Sequence, residues 1–265
     1  MAAQNFTLAE LLICACADVW KDDGEVLATG IGIIPRIAQG LAKLTKSPGL
    51  MITDGEAYLT EEPVVIGAKD HEGRAYGGYM PYSRVFDLLW HGRRHALVGP
   101  VQVDRWGQAN IACIGEFAKP KRQMLGMRGF PGNSINHANS MFVPNHSTRV
   151  FVEGQVDVVC SVGYRKESWP EGVNSDYASI HHIVTNLCVM DFKGPDNAIR
   201  VISLHPGVTF EEVQQNTSFE LIKADDCGET AHPTEEQLAV IRKLDPRDFR
   251  ARQIKDNPPG IRNAA

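Results

Sequence analysis

The chain has 265 residues, 43% hydrophobic and 22% charged, an ordinary globular composition with room for one large domain or two small ones. A formal net charge of −5 gives no electrostatic case for nucleic acid or an anionic membrane surface. No apolar run reaches the roughly 18 residues of a membrane span, and MAAQNFTLAELL carries no basic segment ahead of its apolar stretch, so neither a transmembrane helix nor a signal peptide is expected.

The elements read in order. Thr7 followed by Glu10 is a capping box, after which Leu8, Leu11, Leu12, Ala15 and Val19 share one helical face. EVLATG (25–30) has the pattern of a short buried strand ending in glycine. Pro35 suits the first turn of a helix whose stripe continues through Ile37, Leu41 and Leu44, and LMIT (50–53) is strand-like again. Val85, Leu88 and Leu89 mark a further helix; ALVG (96–99), NIACI (110–114) and RVFVE (149–153) read as strands. NLCVMDF (186–192) and AIRVISLH (198–205) read as a hairpin turning at GPDN. Thr209 with Glu212, and Thr234 with Gln237, form two more capping boxes, the last before the stripe Leu238, Ile241, Leu244. This alternation predicts an α/β fold with an open, mostly parallel sheet and helices on both faces. One domain is expected over residues 1–245, followed by a charged, proline-containing arm over 246–265.

The six cysteines, Cys14, Cys16, Cys113, Cys160, Cys188 and Cys227, form no CxxC pair and sit mostly in apolar runs. They read as small hydrophobes in a reducing, cytoplasmic setting, without a structural zinc site. His181 and His182 are adjacent in HHIVTN, where a strand points neighbours to opposite faces, so no metal is expected there. A serine nucleophile lacks its GxSxG elbow.

Several stretches carry candidate chemistry. TGIGIIP (29–35) is either a tight βα turn or, through free amides at a helix start, an anion site; the residues leave both open. Without a third glycine it is a poor nicotinamide-nucleotide fingerprint. TDGEAYLTEE (53–62) places Asp54 and Glu56 past a strand end, where open α/β sheets bind ligands; turn capping is the competing reading. In GGYMPYSRVF (77–86), Tyr82 and Arg84 are candidates to line an apolar pocket bearing one cation. In VQVDRWGQAN (101–110), Asp104 and Gly107 suit a hairpin turn, and the Gln102 amide can hold a carbonyl oxygen. RGFPGNSINHAN (128–139) is poor helix and poor strand. There Gly129 and Gly132 let main-chain N–H groups face a ligand, while Asn133, Asn136 and His137 add neutral donors for a thioester or enolate oxygen.

Together these motifs resemble the β subunit of class I coenzyme A transferases. GIGIIP, QVDRWGQAN and the block from IVTNLCVMDF through SLHPGVTFEEVQQNTSFEL fall in that family's order and spacing, over roughly residues 7 to 222. The resemblance implies an open α/β fold paired with a homologous α subunit, with the active site shared between them. It also implies a β-subunit glutamate, in an S-E-N-G motif, that attacks the acyl thioester. Here Thr53-Asp54-Gly55-Glu56 stands in that place. Aspartate is one methylene shorter, and a misplacement of about 1 Å can cost about a hundredfold in rate.

TDGEA with GYMPYSRVF, QVDRWGQAN and RGFPGNSINHA is similar to a divergent branch, the β subunit of actinobacterial steroid ring-opening acyl-CoA hydrolases. That likeness implies hydrolysis of a cyclic β-keto acyl-CoA, with the general base on the α subunit and no cofactor beyond the coenzyme A of the substrate. Asp54, Gln102 and Asn133 are then the expected catalytic side chains, with Glu56, Tyr82, Arg84, Gly129, Gly132, Asn136 and His137 around the substrate. Two other readings remain: a true CoA transferase using Asp54 or Glu56 as nucleophile, and a non-catalytic scaffold for an active α partner.

Overall fold

The computed structural model of the chain describes residues 2–55, 57–68, 74–91 and 93–262. Its contacts gather into two compact units, Met1–Leu97 with Ala231–Ala265, and Val98–Thr230.

The first unit begins with the capping box as read. The Thr7 hydroxyl accepts from the Glu10 amide, and Glu10 Oε2 accepts from the Thr7 amide at 3.0 Å. They open α1 (Leu8–Ala17), which is buried on every side rather than along one stripe. Its composition explains this: LAELLICACA has a single charged residue, and a helix apolar all round belongs in a core. That residue, Glu10, meets Arg242 Nε at 3.0 Å and Arg250 Nη2 at 3.1 Å. Burial alone would raise its pKa, but the Thr7 amide and the two arginines hold it below the usual value.

β1 (Leu27–Gly30) runs into α2 (Ile33–Leu44) through the Gly30–Gly32 turn. β2 (Ile52–Thr53), β3 (Tyr58–Thr60) and β4 (Tyr76–Tyr79) make a small antiparallel sheet. Only β2 was legible as a strand. α3 (Tyr82–His91) follows, and β5 (Arg94–Val98) returns parallel to β1, pairing Leu27 with Arg94 and Gly30 with Leu97. The C-terminal helix, Glu235–Leu244, closes this unit on its own complete capping box from Thr234 and Gln237. The arm beyond it is tied down. The Leu8 amide donates to the Pro258 carbonyl and the Gly260 amide to the Phe6 carbonyl, both at 2.8 Å.

The second unit opens with two hairpins, β6 (Gln102–Val103) with β7 (Ala109–Asn110), and β8 (Cys113–Ile114) with β9 (Arg122–Gln123). NIACI is therefore two strands, not one. The Asn110 side chain turns the chain between them, accepting from the Ala112 amide at 2.9 Å and donating to the Cys113 carbonyl at 2.7 Å.

Next come α4 (Phe130–Asn136), β10 (Ala138–Val143), β11 (Ile180–Thr185), β12 (Cys188–Asp191), β13 (Arg200–Leu204), α5 (Phe210–Gln215) and β14 (Ile222–Glu229). β12 and β13 form the expected hairpin. Asp196 and Asn197 take positive φ in its turn, and Arg200 grips Asp191 with two bonds of 2.8 and 3.0 Å. RVFVE is not a strand: only Phe151 bridges, to Val103, because the Val150 amide is drawn back into a turn on the Ser147 carbonyl. β10 with β11 and β13 with β14 are parallel, as are β1 and β5, so parallel pairs outnumber the antiparallel β11–β12 and β12–β13. This is the mostly parallel α/β architecture the alternation predicts.

Among the described residues no helix is long and apolar enough to cross a membrane. Cys14, Cys16, Cys113, Cys160 and Cys188 are buried and unlinked, and burial pushes the Cys14 and Cys188 thiols up to about 12. They pack as small apolar side chains.

Candidate functional site

Each unit holds a cavity lined by residues from the candidate motifs. In the first unit a space of about 430 Å³ is bounded by Gly30, Gly32, Arg36, Asp54 and Gly55, with the 64–68 segment and Arg74. The TGIG turn is shaped by packing. A Cβ on Gly30 would lie 2.2 Å from the Pro35 carbonyl oxygen, and the Gly30 amide already donates to Gln39 Oε1 at 2.6 Å. The tight-turn reading of TGIGIIP thus has a full physical cause.

Asp54 is buried, and its Oδ1 accepts from the amides of Ala57 and Tyr58 at 3.0 and 3.2 Å. Its main chain closes the same turn: the Asp54 amide donates to the Tyr58 carbonyl at 3.0 Å, and Arg36 Nη2 donates to the Asp54 carbonyl at 2.6 Å. This carboxylate shapes the loop after β2 and forms part of the cavity wall. Glu56 lies outside the described residues.

In the second unit a cavity of about 760 Å³ is walled mainly by Val101, Ile114, Val143, Pro144, Val150 and Val152, with Gln102, Arg122, Asn145 and Arg149 as its polar members. The orientation of the Gln102 carboxamide follows from its partners. Its Oε1 faces the Asp157 main-chain amide at 3.0 Å, and a backbone N–H can only donate. Asn110 Nδ2 donates to the same oxygen at 2.8 Å, and the Asn110 oxygen is itself committed to the Ala112 amide. Both constraints put Nε2 on the opposite side, where it meets no acceptor among the described residues. A buried amide donor is thereby held ready at the cavity wall.

The same hairpin carries Asp104, which behaves as the turn reading predicts. Its Oδ1 accepts from the Trp106 and Gln108 amides at 2.9 and 2.8 Å, and Arg165 approaches Oδ2 at 3.3 Å. Burial outweighs these contacts and raises its carboxyl from 3.8 to about 6. Gly107 takes φ +77°, and a Cβ there would meet Phe192 at 2.6 Å.

The glycine- and asparagine-rich segment is not an irregular loop. Residues 130–136 form α4, entered at Gly129 with Pro131 in its first turn, where a missing N–H costs nothing. Side chains stitch it. Ser134 Oγ donates to the Pro131 carbonyl and Asn136 Nδ2 to the Gly132 carbonyl, each at 2.9 Å. Asn139 Nδ2 donates to the carbonyls of Asn133 and His137 at 2.8 and 2.7 Å. Asn133 is buried, and its amide is spent on the Gly129 carbonyl at 3.1 Å, leaving Gly132 as the first-turn amide of interest. Gly129 borders open space, since a Cβ there would meet nothing within 4 Å. His137 is buried with Nδ1 at 3.0 Å from the Ala138 carbonyl.

The remaining candidates stand elsewhere. Arg84 pairs with Asp87 at 3.2 Å on an exposed side of α3, the side chains 69% and 53% exposed, and it lines neither of the two cavities. Tyr82 begins α3, but its side chain lies outside the described residues. Asp54 and Gln102 belong to different units and different cavities. Sequence reasoning missed Arg36, Arg74, Arg122 and Arg149; the basic run KPKR (119–122) was the one available signal.

No family model matches the chain. It is 44% identical over 249 residues to the cholesterol ring-cleaving hydrolase IpdB subunit of Rhodococcus jostii (strain RHA1), covering 94% of this chain and 96% of that one. It is 31% identical over 253 residues to a subunit of the 3-oxoadipate CoA-transferase of Pseudomonas knackmussii, covering 91% and 94%. The crystal structure of Rhodococcus jostii RHA1 IpdAB superposes with a TM-score of 0.86 at 44% identity, over 94% of this chain and 98% of that one.

Proposed function

Because the chain belongs to the family of IpdB subunits of cholesterol ring-cleaving hydrolases, within the CoA-transferase-like β subunits, we propose that it forms one half of a heteromeric enzyme that opens the ring of a cyclic β-keto acyl-CoA with water. The observation that carries this reading is the 44% identity to a ring-cleaving subunit across 94% of the chain.

The chemistry follows from the substrate class. A general base on the α subunit takes a proton from water, whose oxygen bonds to the ketone carbon β to the thioester. The resulting alkoxide collapses, the bond between that carbon and the α carbon breaks, and the electron pair leaves as the thioester enolate. Protonation of the α carbon then gives an open-chain acyl-CoA with a new carboxylate. Two oxyanions form along this path, and preorganised neutral donors stabilise both without carrying a proton away. In this chain Gln102 Nε2 is one such donor, and the Gly132 amide with the Asn133 side chain supplies the second group. Asp54 orients the loop it caps. Gly129, Asn136 and His137, from the same segment as Asn133, add to the substrate-facing surface of the second unit. The path requires no metal, no cofactor beyond the substrate's coenzyme A, and no acyl-enzyme; we place it in the cytoplasm.

The transferase alternative demands a carboxylate of this chain as nucleophile. The engagement of Asp54 Oδ1 by two amides supports the hydrolase instead, because a carboxylate committed to shaping a buried turn is a poor attacking group. The deciding experiment uses the heteromeric complex with a cyclic β-keto acyl-CoA in heavy-oxygen water. Mass spectrometry is expected to find one label in the new carboxylate and no borohydride- or hydroxylamine-trapped adduct on this chain. An acylated Asp54 or Glu56 would replace the proposal with transfer chemistry.

A further inference from the structure

One wall of the second unit's cavity is built from irregular chain. Val143, Pro144, Asn145, Arg149, Val150 and Val152 line it, and past the end of β10 this stretch runs through bends and turns, so side chains have to fix it. From Pro144 to Val150 every residue except His146 is exposed or half-buried. His146 is 4% exposed, and the ring-opening chemistry gives it no part. Its ring reaches two other elements. Nδ1 stands 3.1 Å from Thr185 Oγ1 at the end of β11, and Nε2 stands 2.9 Å from Thr217 Oγ1 just past α5. The ring also stacks on Phe151, with centroids 4.0 Å apart and planes at 27°.

The partners decide how this histidine is protonated. Thr217 Oγ1 gives its one hydrogen to the Val213 carbonyl at 2.9 Å, so toward Nε2 it can only accept. Thr185 Oγ1 receives the amides of Leu187 and Cys188 at 3.0 and 3.1 Å. What it offers Nδ1 is therefore its hydrogen, shared with the Cys188 carbonyl at 3.2 Å. The ring is neutral, with its hydrogen on Nε2. A second proton on Nδ1 would face an oxygen already occupied by two donors. Burial acts the same way and lowers the His146 pKa from 6.5 to about 3. A neutral ring that donates at one nitrogen and accepts at the other is a strut between its two partners.

The strut reaches the candidate donor through the main chain. On either side of Phe151, the Val103 amide donates to the Val150 carbonyl at 2.7 Å and the Val152 amide donates to the Val103 carbonyl at 3.0 Å. Phe151 is fully buried between them, so it carries the position of the His146 ring to the neighbour of Gln102. We propose that His146 is a positioning residue for ring opening: held between Thr185 and Thr217, it fixes the Val150–Val152 stretch and, through Val103, the placement of Gln102 Nε2. The inference rests on the donor role given to Gln102 above. In this role His146 acts on the rate only through that donor.

The test is a double-mutant cycle in the intact complex, reading kcat and KM for a cyclic β-keto acyl-CoA on variants that thermal unfolding shows to be folded at the assay temperature. His146→Ala removes the strut. Thr217→Val leaves the ring in place and takes away only the acceptor of Nε2, so it decides the matter if the alanine variant does not fold. Either change is expected to lower kcat by about 10- to 100-fold with little change in KM, because a misplacement of about 1 Å can cost that much. Gln102→Glu has already lost the donor, so adding either change to it should lower kcat no further. Losses that multiply overturn the proposal, since His146 would then support the fold without acting through Gln102. Wild-type kcat in folded His146→Ala or Thr217→Val also does. So does a rise in KM at unchanged kcat, because the wall and not the donor would have moved. Wild-type turnover in Gln102→Glu alone sinks the donor reading and this inference with it, and that failure shows in the single variant before any change at His146.

Discussion

The two cavities use their polar side chains in opposite ways. Around Asp54 the carboxylate is turned inward, onto the amides of Ala57 and Tyr58, and the arginine beside it is drawn onto the Asp54 carbonyl. Around Gln102, a residue of the cavity wall, one end of the amide is pinned by Asp157 and Asn110 while the other meets no acceptor among the described residues. The contrast separates scaffold from reagent. A group whose hydrogen-bonding capacity is filled from within holds shape, and a group held at one end and left open at the other is ready for a ligand. Asp54, which the resemblance to the transferases sets in the nucleophile's place, takes the first role here.

The sharpest way to break this contrast is at Gln102. Gln102→Glu keeps the oxygen that receives the Asp157 and Asn110 donors but removes the outward N–H. Turnover of the complex should fall by about 10² to 10³, the usual loss for one oxyanion donor, with little change in melting temperature. Gln102→Ala should lose as much activity and also some stability, because the Asp157 amide and one N–H of Asn110 lose their acceptor. Retained turnover in the glutamate variant would make Gln102 a scaffold like Asp54. Asn133→Ala comes next. Its main-chain carbonyl still receives Asn139, so ring opening should drop by about tenfold or more while thermal stability changes far less. Equal loss of both would identify a structural residue.

How far this was legible before the structure follows from what each feature depends on. The capping boxes at Thr7 and Thr234, the hairpin of β12 and β13 and the Asp104–Gly107 turn rest on residues a few positions apart, and all form as read. α4 was illegible because glycine, proline and asparagine are weak helix formers; Ser134, Asn136 and Asn139 compensate through hydrogen bonds that composition does not reveal. β3 and β4 were too short for a period-two pattern to register. At the site, the candidate amides were visible by residue type, but the direction of Gln102 Nε2 depends on Asp157, 55 positions away. That Arg122 and Arg149 line one cavity is likewise a property of the folded neighbourhood and of no local pattern.

A smaller effect sharpens the scaffold side of the comparison. Asp54→Ala removes the acceptor for two amides near a buried turn and should cost about 1 to 3 kcal/mol in chemical denaturation. Asp54→Asn retains an oxygen for the same amides and should stay near wild type in both stability and turnover. If the asparagine variant were stable but inactive, the charge itself would be chemical, and the transferase reading would regain ground.

The smallest expected effect concerns the second carboxylate used in this scaffold role. Asp104 caps its turn as Asp54 does, yet its burial is complete enough that its carboxyl is raised from 3.8 to about 6 despite two amides and Arg165. The folded protein therefore keeps a proton on Asp104 at pH values where the unfolded chain has released it. Where the native state binds more protons, stability falls as pH rises. The contribution is fully present below about pH 4, declines as pH climbs through about 6, and is constant above that. Asp104→Asn removes the titration while keeping an oxygen for the Trp106 and Gln108 amides, so urea unfolding of the variant between pH 4 and 7 should show a flatter dependence than wild type. A wild-type stability that rises through this window, with the asparagine variant unchanged in slope, would mean that Arg165 and the amides outweigh burial, and that Asp104 is held as firmly in its charged form as an exposed capping carboxylate.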